Sequence, residues 1–138
     1  MSEPLTNPLS LRPVTNMPLG IIPTAQELAL KADVCSGRQI GGRAISKAVL
    51  RSFLTKRGEN YRTEMSDPIK AVKTCSRISP HLAWGSLSIR EVSQATQARK
   101  TELKVKGSTK KWDEAISSFA GRLYWHCHFI QKLEDSPM

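Results

Sequence analysis

One apolar stripe near the C-terminus constrains this chain more than any other feature. From about Trp112 to Leu133, the residues Ile116, Phe119 with Ala120, Leu123, Cys127, Ile130 and Leu133 keep to one side of a helix for about six turns. Tyr124, Trp125 and Phe129 widen that arc well past one face. A helix of this kind buries more than one side or lines something. No segment alternates apolar and polar residues with a period of two, so the chain is expected to be all-α.

Start and stop signals divide the rest. Residues 1–42 carry Pro4, Pro8, Pro13, Pro18 and Pro23 and then Gly37, Gly41 and Gly42, the texture of an extended connector. A capping box at Thr24 to Glu27 predicts one short helix within it. From Arg43 to Arg57, Ile45, Val49, Leu50, Phe53 and Leu54 recur at helical spacing, and Gly58 follows where a C-cap is wanted. Asp67-Pro68 predicts a short helix ending around Cys75, and Ser79-Pro80 predicts another closed by Gly85. Ser88 to Glu91 is a second capping box, which introduces a helix carrying Val92, Ala95, Ala98 or Arg99, and Leu103. Lys104 to Lys111, with Gly107 and Ser108, reads as a basic loop before the final helix.

Composition removes whole classes of function. The 138 residues hold 21 Lys+Arg against 12 Asp+Glu, a formal charge of +9, which suits a polyanionic partner without naming it. Cys35, Cys75 and Cys127 are too few and too far apart for a disulfide framework or a zinc site. Adjacent positions on a helix point about 100° apart, so His126-Cys127-His128 is not a metal cluster either. The N-terminus lacks a secretory pattern and no apolar run is long enough for a membrane span, so the expectation is a cytoplasmic protein with no membrane partner.

The segment Cys75-Ser76-Arg77-Ile78-Ser79-Pro80-His81-Leu82 carries the chemistry. Two hydroxyls and a guanidinium stand at a helix start, where the amides of His81 and Leu82 and the helix dipole favour an anion, and Arg77 can clamp phosphate oxygens. The alternative is a plain cap, with Ser79 bonded to its own helix and Arg77 solvated, and spacing alone favours the cap.

The run from Gly41 to Val92, containing CSRIS and LAWGSLSIRE, followed by FAGRLYWHCHFIQKLED, resembles the FAD-binding helical domain of the DNA photolyase and cryptochrome family. The resemblance covers residues 41 to 135. It implies residues 1–42 as an interdomain linker, residues 43–138 as a partial FAD-binding helical domain, and a fragment of a longer protein. It further implies that Cys75, Ser76, Arg77, Ile78 and Ser79 contact the FAD diphosphate, with Tyr61 on the phosphate side. Phe119, Arg122, Trp125 and His126 match flavin-side positions. Trp125 resembles the family's aromatic wall against the flavin and a flipped lesion, whereas Arg122 and His126 depart from the family's usual residues.

The activity so implied is that of a deoxyribodipyrimidine photolyase, a lyase in which light-excited reduced FAD passes an electron to a pyrimidine dimer in damaged DNA. Trp125 with Lys104, Lys106, Lys110 and Lys111 forms the candidate DNA contact, although the lysines read equally well as a solvated loop. The other readings are a cryptochrome-like FAD photoreceptor without repair activity and a cofactor-free nucleic-acid-binding helical remnant. Half a flavin pocket would leave the apolar flank of the last helix against water, which implies self-association or a complementing subunit. No general acid, base or nucleophile is identified. His81 is expected as a hydrogen-bonding residue at a helix start, and Trp84 and Trp112 as packing residues.

Overall fold

The computed structural model describes residues 20, 21, 23–31 and 35–136, and the expectations for Pro4, Pro8, Pro13 and Pro18 lie outside them. Helices are the regular structure among the described residues, with no strand, as the absence of a period of two predicts. The chain parts into two units between Gln39 and Ile40. In the first, the Thr24 amide donates to Glu27 Oε2 at 2.7 Å and the Glu27 amide to Thr24 Oγ1 at 3.3 Å. The capping box therefore forms, but it encloses one turn that ends at Ala29 with φ 52°, not a helix. Leu28 and Leu30 are exposed. A nucleated turn with no apolar face to bury does not propagate.

The second unit begins with α1 (Arg43–Thr55), whose Leu50, Phe53 and Leu54 are buried while Ile45, expected on the same face, stays exposed. Gly58 is not the C-cap of this helix. It lies in a 3-10 turn, Arg57–Asn60, that leads directly into α2 (Tyr61–Glu64). A Cβ at Gly58 would stand 2.6 Å from the Phe53 carbonyl oxygen, so glycine is needed there for close approach and not for a left-handed backbone.

Asp67 caps as expected, its carboxylate accepting from the amides of Ile69 and Lys70 at 2.9 and 3.0 Å ahead of α3 (Ala71–Thr74). Next comes α4 (Ser79–Ala83), after which Gly85 turns the chain with φ 68°. The reciprocal capping box of Ser88 and Glu91 opens α5 (Ile89–Lys106). Glu91 also pairs with Arg43, tying the start of α5 to the start of α1. The predicted basic loop is mostly helix: α5 runs through Lys106, Gly107 caps it at φ 78°, and α6 (Lys110–Asp135) begins three residues later. Lysine is a good helix former, so a charge run does not by itself stop a helix.

The long helix α6 packs against α5, α2 and the 3-10 turn, and its Ala115, Ile116, Phe119 and Leu123 close the core with Phe53, Leu87, Val92 and Leu103. Phe53, Tyr61 and Phe119 form an aromatic knot, with ring centroids at 5.4 Å (Phe53–Tyr61), 4.7 Å (Phe53–Phe119) and 6.0 Å (Tyr61–Phe119). Such pairs contribute about 0.5–1.5 kcal/mol beyond the apolar area they bury. Past Leu123 no described residue buries the stripe: Cys127 is half-buried, and Ile130 and Leu133 are 47% and 70% exposed. Among the described residues no helix is long and apolar enough to cross a membrane.

Candidate anion-binding site

Arg57, which the sequence marked only as the end of the first helix, organises the site. Its Nη1 donates to the carbonyls of Cys75 at 2.7 Å and Lys73 at 3.0 Å. Its Nη2 donates to those of Ser76 and Val49, both at 3.3 Å, and its Nε to Ser52 Oγ at 3.0 Å. One guanidinium thus ties the last turns of α1 to the carbonyls that α3 leaves unpaired at its end, where a cation also suits the helix dipole. These acceptors are uncharged. Burial, and then the neighbouring Arg77, hold the Arg57 pKa below its ordinary range. The Arg57 and Arg77 guanidinium groups thus stand within Coulomb range of each other at this turn.

The motif itself is a tight reversal. Cys75 is extended, Arg77 sits in the left-handed region at φ 57°, and Ile78 is buried beneath as the residue just ahead of α4. A non-glycine residue in that region carries strain of about 1–2 kcal/mol. The anchoring of Ile78 in the core and the hold of Arg57 on Cys75 and Ser76 maintain it. Two details of this helix start differ from the expectation. Ser79 is the first helical residue and makes no cap hydrogen bond, so it is not a plain cap. The Leu82 amide is not free for an anion, because it donates to the Ile78 carbonyl at 3.0 Å. What remains at the helix start are the His81 amide and the hydroxyls of Ser76 and Ser79, residues that are half-buried and exposed respectively. Burial pushes the Cys75 thiol up, against the opposing pull of Arg77 and Arg57. A protonated thiol is a poor nucleophile.

Tyr61 and Arg122 close the other side. The buried Tyr61 ring belongs to the aromatic knot, and its hydroxyl lies within electrostatic reach of Arg122 and Cys75. Burial raises the Tyr61 pKa, and Arg122 opposes the rise. Phe119, expected on the ligand side, is a core residue at 3% exposure, because its position on α6 faces Phe53. Trp125 and His126 stand about one turn beyond Arg122 and are exposed. Trp125 instead joins Gly121, Tyr124 and His128 in lining a shallow open groove of about 450 Å³, with Phe129 5.7 Å away ring to ring.

The four candidate lysines flank Gly107, Lys104 and Lys106 closing α5 and Lys110 and Lys111 opening α6. Lys106 pairs with Glu102 at 2.8 Å and Lys110 with Glu114 at 3.8 Å. At 1.5 Å per residue, Lys111 and Trp125 stand about 20 Å apart along the helix axis. The lysines and Trp125 are therefore not one contact point. His81 is buried at 1% exposure with Nδ1 3.4 Å from Ser86 Oγ and no hydrogen bond at Nε2. Trp84 is exposed and not a packing residue, whereas Trp112 packs on the core with the Arg99 guanidinium 5.2 Å over its ring.

Fold and site together define a class: an all-helical unit in which Arg57 and Arg77 stand near each other at one left-handed turn, with Tyr61 in reach of Cys75 on that turn and of Arg122 on α6. Over 112 residues, 81% of its own length, the chain is 30% identical to the deoxyribodipyrimidine photo-lyase of Halobacterium salinarum. It spans 22% of that protein's length. No family model matches the chain, and no solved structure matches it.

Proposed function

We propose that this chain is a photolyase-type polypeptide, part of an FAD-binding helical domain, and that the turn at Cys75–Ser79 receives the diphosphate of the cofactor. The observation that carries this reading is the pairing of Arg57 with Arg77 at that turn, within the stretch that resembles a photolyase. A diphosphate matches guanidinium groups in charge and fork geometry, and the two serine hydroxyls can donate to its oxygens. Arg57 would hold the backbone of Cys75 and Ser76 in place, Arg77 would meet phosphate oxygens, and Arg122 with Tyr61 would border the seat. Phe119 supports the seat from the core and does not touch the ligand. Trp125 and His126 would take the flavin side or the lesion side. Bound FAD would supply light-driven electron transfer to a pyrimidine dimer, and the protein's part is to bind and orient it.

Damaged DNA is the proposed partner, with the lysines beside Gly107 meeting its backbone. Lys110 and Lys111 support this, because they occupy the first turn of α6, where the helix dipole disfavours cations and an anionic partner would offset it.

Titration of FAD into the purified chain, followed by the flavin absorption band and fluorescence, tests the reading. Arg77→Gly is the informative variant, since it relieves the left-handed strain while removing the guanidinium. The expected result is equal or greater stability with at least a tenfold loss of FAD affinity. Binding of FAD that Arg77→Gly leaves unchanged would sink the diphosphate seat. DNA retention whose salt slope does not fall when the four lysines are replaced by Ala would remove them from the DNA contact.

A further inference from the structure

The helix α5 carries its charges on two separate flanks. Val92, Thr96 and Leu103 are its buried residues and fix which side meets the core. At about 100° per residue, Arg90, Ser93, Gln97, Lys100 and Lys104 recur at intervals of three and four and make one stripe beside that core line. Arg90, Gln97 and Lys104 are exposed, and Ser93 and Lys100 are half-buried. The two carboxylates of the helix, Glu91 and Glu102, lie on the opposite flank, about 160° away round the axis.

Those carboxylates are already engaged. Glu91 pairs with Arg43 and accepts from the Ser88 amide at 3.0 Å, while Glu102 pairs with Arg99 at 2.9 Å and Lys106 at 2.8 Å. Among the described residues no carboxylate pairs with Arg90, Lys100 or Lys104. Two of these placements are locally unfavourable. Arg90 stands in the first turn of α5, where the helix dipole disfavours a cation, and Lys100 and Lys104 are like charges four residues apart. An anion laid along the stripe relieves both.

The residue types say which anion. The stripe holds no apolar side chain, so it offers neither the hydrophobic centre of a protein interface nor the apolar face of a helix that lies on a membrane. From Arg90 to Lys104 it extends about 21 Å, and each strand of duplex DNA presents a phosphate about every 3.4 Å of axis. Guanidinium, ammonium and amide groups are the side chains that contact phosphate oxygens. We propose that the Arg90–Lys104 stripe of α5 is a track for the phosphate backbone of undamaged duplex DNA. The proposal rests on the DNA partner inferred above and extends that contact from the lysines beside Gly107 along the whole of α5. It requires neither a lesion nor FAD.

The experiment is binding of the full chain to a short undamaged duplex, without flavin, between about 50 and 200 mM salt. The variant Arg90→Gln with Lys100→Gln is compared with Lys47→Gln and Arg51→Gln, which removes two exposed cations of α1 and the same net charge. The expected result is a salt slope lower by about 2 in the α5 variant, about 1 for each single change, with at least tenfold weaker binding at about 100 mM salt. The α1 variant should keep the parent slope, and circular dichroism should be equal in all. A parent that binds but whose slope the α5 variant leaves unchanged overturns the track and leaves the DNA reading standing. Equal losses in the α5 and α1 variants overturn it too, because net charge would then account for the binding. A parent that does not bind the duplex at about 50 mM salt overturns the DNA reading and the track together.

Discussion

The Arg57 guanidinium donates to the Cys75 carbonyl at 2.7 Å, the shortest of its five hydrogen bonds, and so joins the end of α1 to the turn at the candidate site. A single side chain thereby sets the backbone on which Ser76, Arg77 and Ser79 are mounted. Replacing Arg57 by Ala leaves the carbonyls of Lys73, Cys75, Ser76 and Val49 without this donor. The expected loss is about 2–3 kcal/mol, the scale of hydrogen bonds made by a charged group. Arg57→Lys should recover less than half, because an ammonium cannot reproduce the planar fork. Urea unfolding of the three proteins measures both effects.

Gly58→Ala should destabilise by about 1–3 kcal/mol, since the new methyl would meet the Phe53 carbonyl oxygen, a backbone atom with little room to move. Gly121→Ala is the control. Nothing lies within 4 Å of a Cβ there, and the helix gains about 0.8–1 kcal/mol from alanine's propensity. Thermal melts should shift in opposite directions, and a Gly58→Ala protein as stable as the parent would refute the close approach.

Two aromatics on α6 should answer alanine differently. Phe119→Ala removes one ring of the aromatic knot and should cost about 3–5 kcal/mol. Trp125→Ala touches an exposed side chain and should stay within about 0.5 kcal/mol. Any loss of ligand binding by Phe119→Ala should therefore follow its loss of folded protein in a parallel stability measurement.

Acid should weaken the junction of α1 and α5. The Arg43 guanidinium, and then the Ser88 amide, hold the Glu91 carboxyl down at about 2, below its ordinary value of 4.5. Because the folded value is the lower, this contribution is present above about pH 4.5 and is lost as the pH falls toward 2. The pair is partly solvated, so the loss should be about 1 kcal/mol or less. Stability of Glu91→Gln followed from pH 6 to pH 2.5 should fall less steeply than that of the parent.

Much of the helix layout was legible along the chain. The Ser88–Glu91 and Asp67 caps formed where they were read, because a cap joins residues two or three apart and needs no distant partner. The period of the α6 stripe gave its helical form, since periodicity is a local property. The same locality misled at Thr24, where a complete capping box had no apolar face to extend it, and at Gly58, whose glycine serves a contact and not a cap.

At the candidate site the sequence by itself determined which residue types stand at the turn from Cys75 to Ser79. It could not determine that Arg57, eighteen residues before Cys75, supplies the bonds that hold the turn. Nor could it show that Phe119 sinks into the core while Trp125, two turns further along the same helix, stays in solvent. Tertiary packing decided both. Burial depends on which other helix reaches a given stretch of surface, and α1, α2 and α5 cover α6 only as far as Leu123.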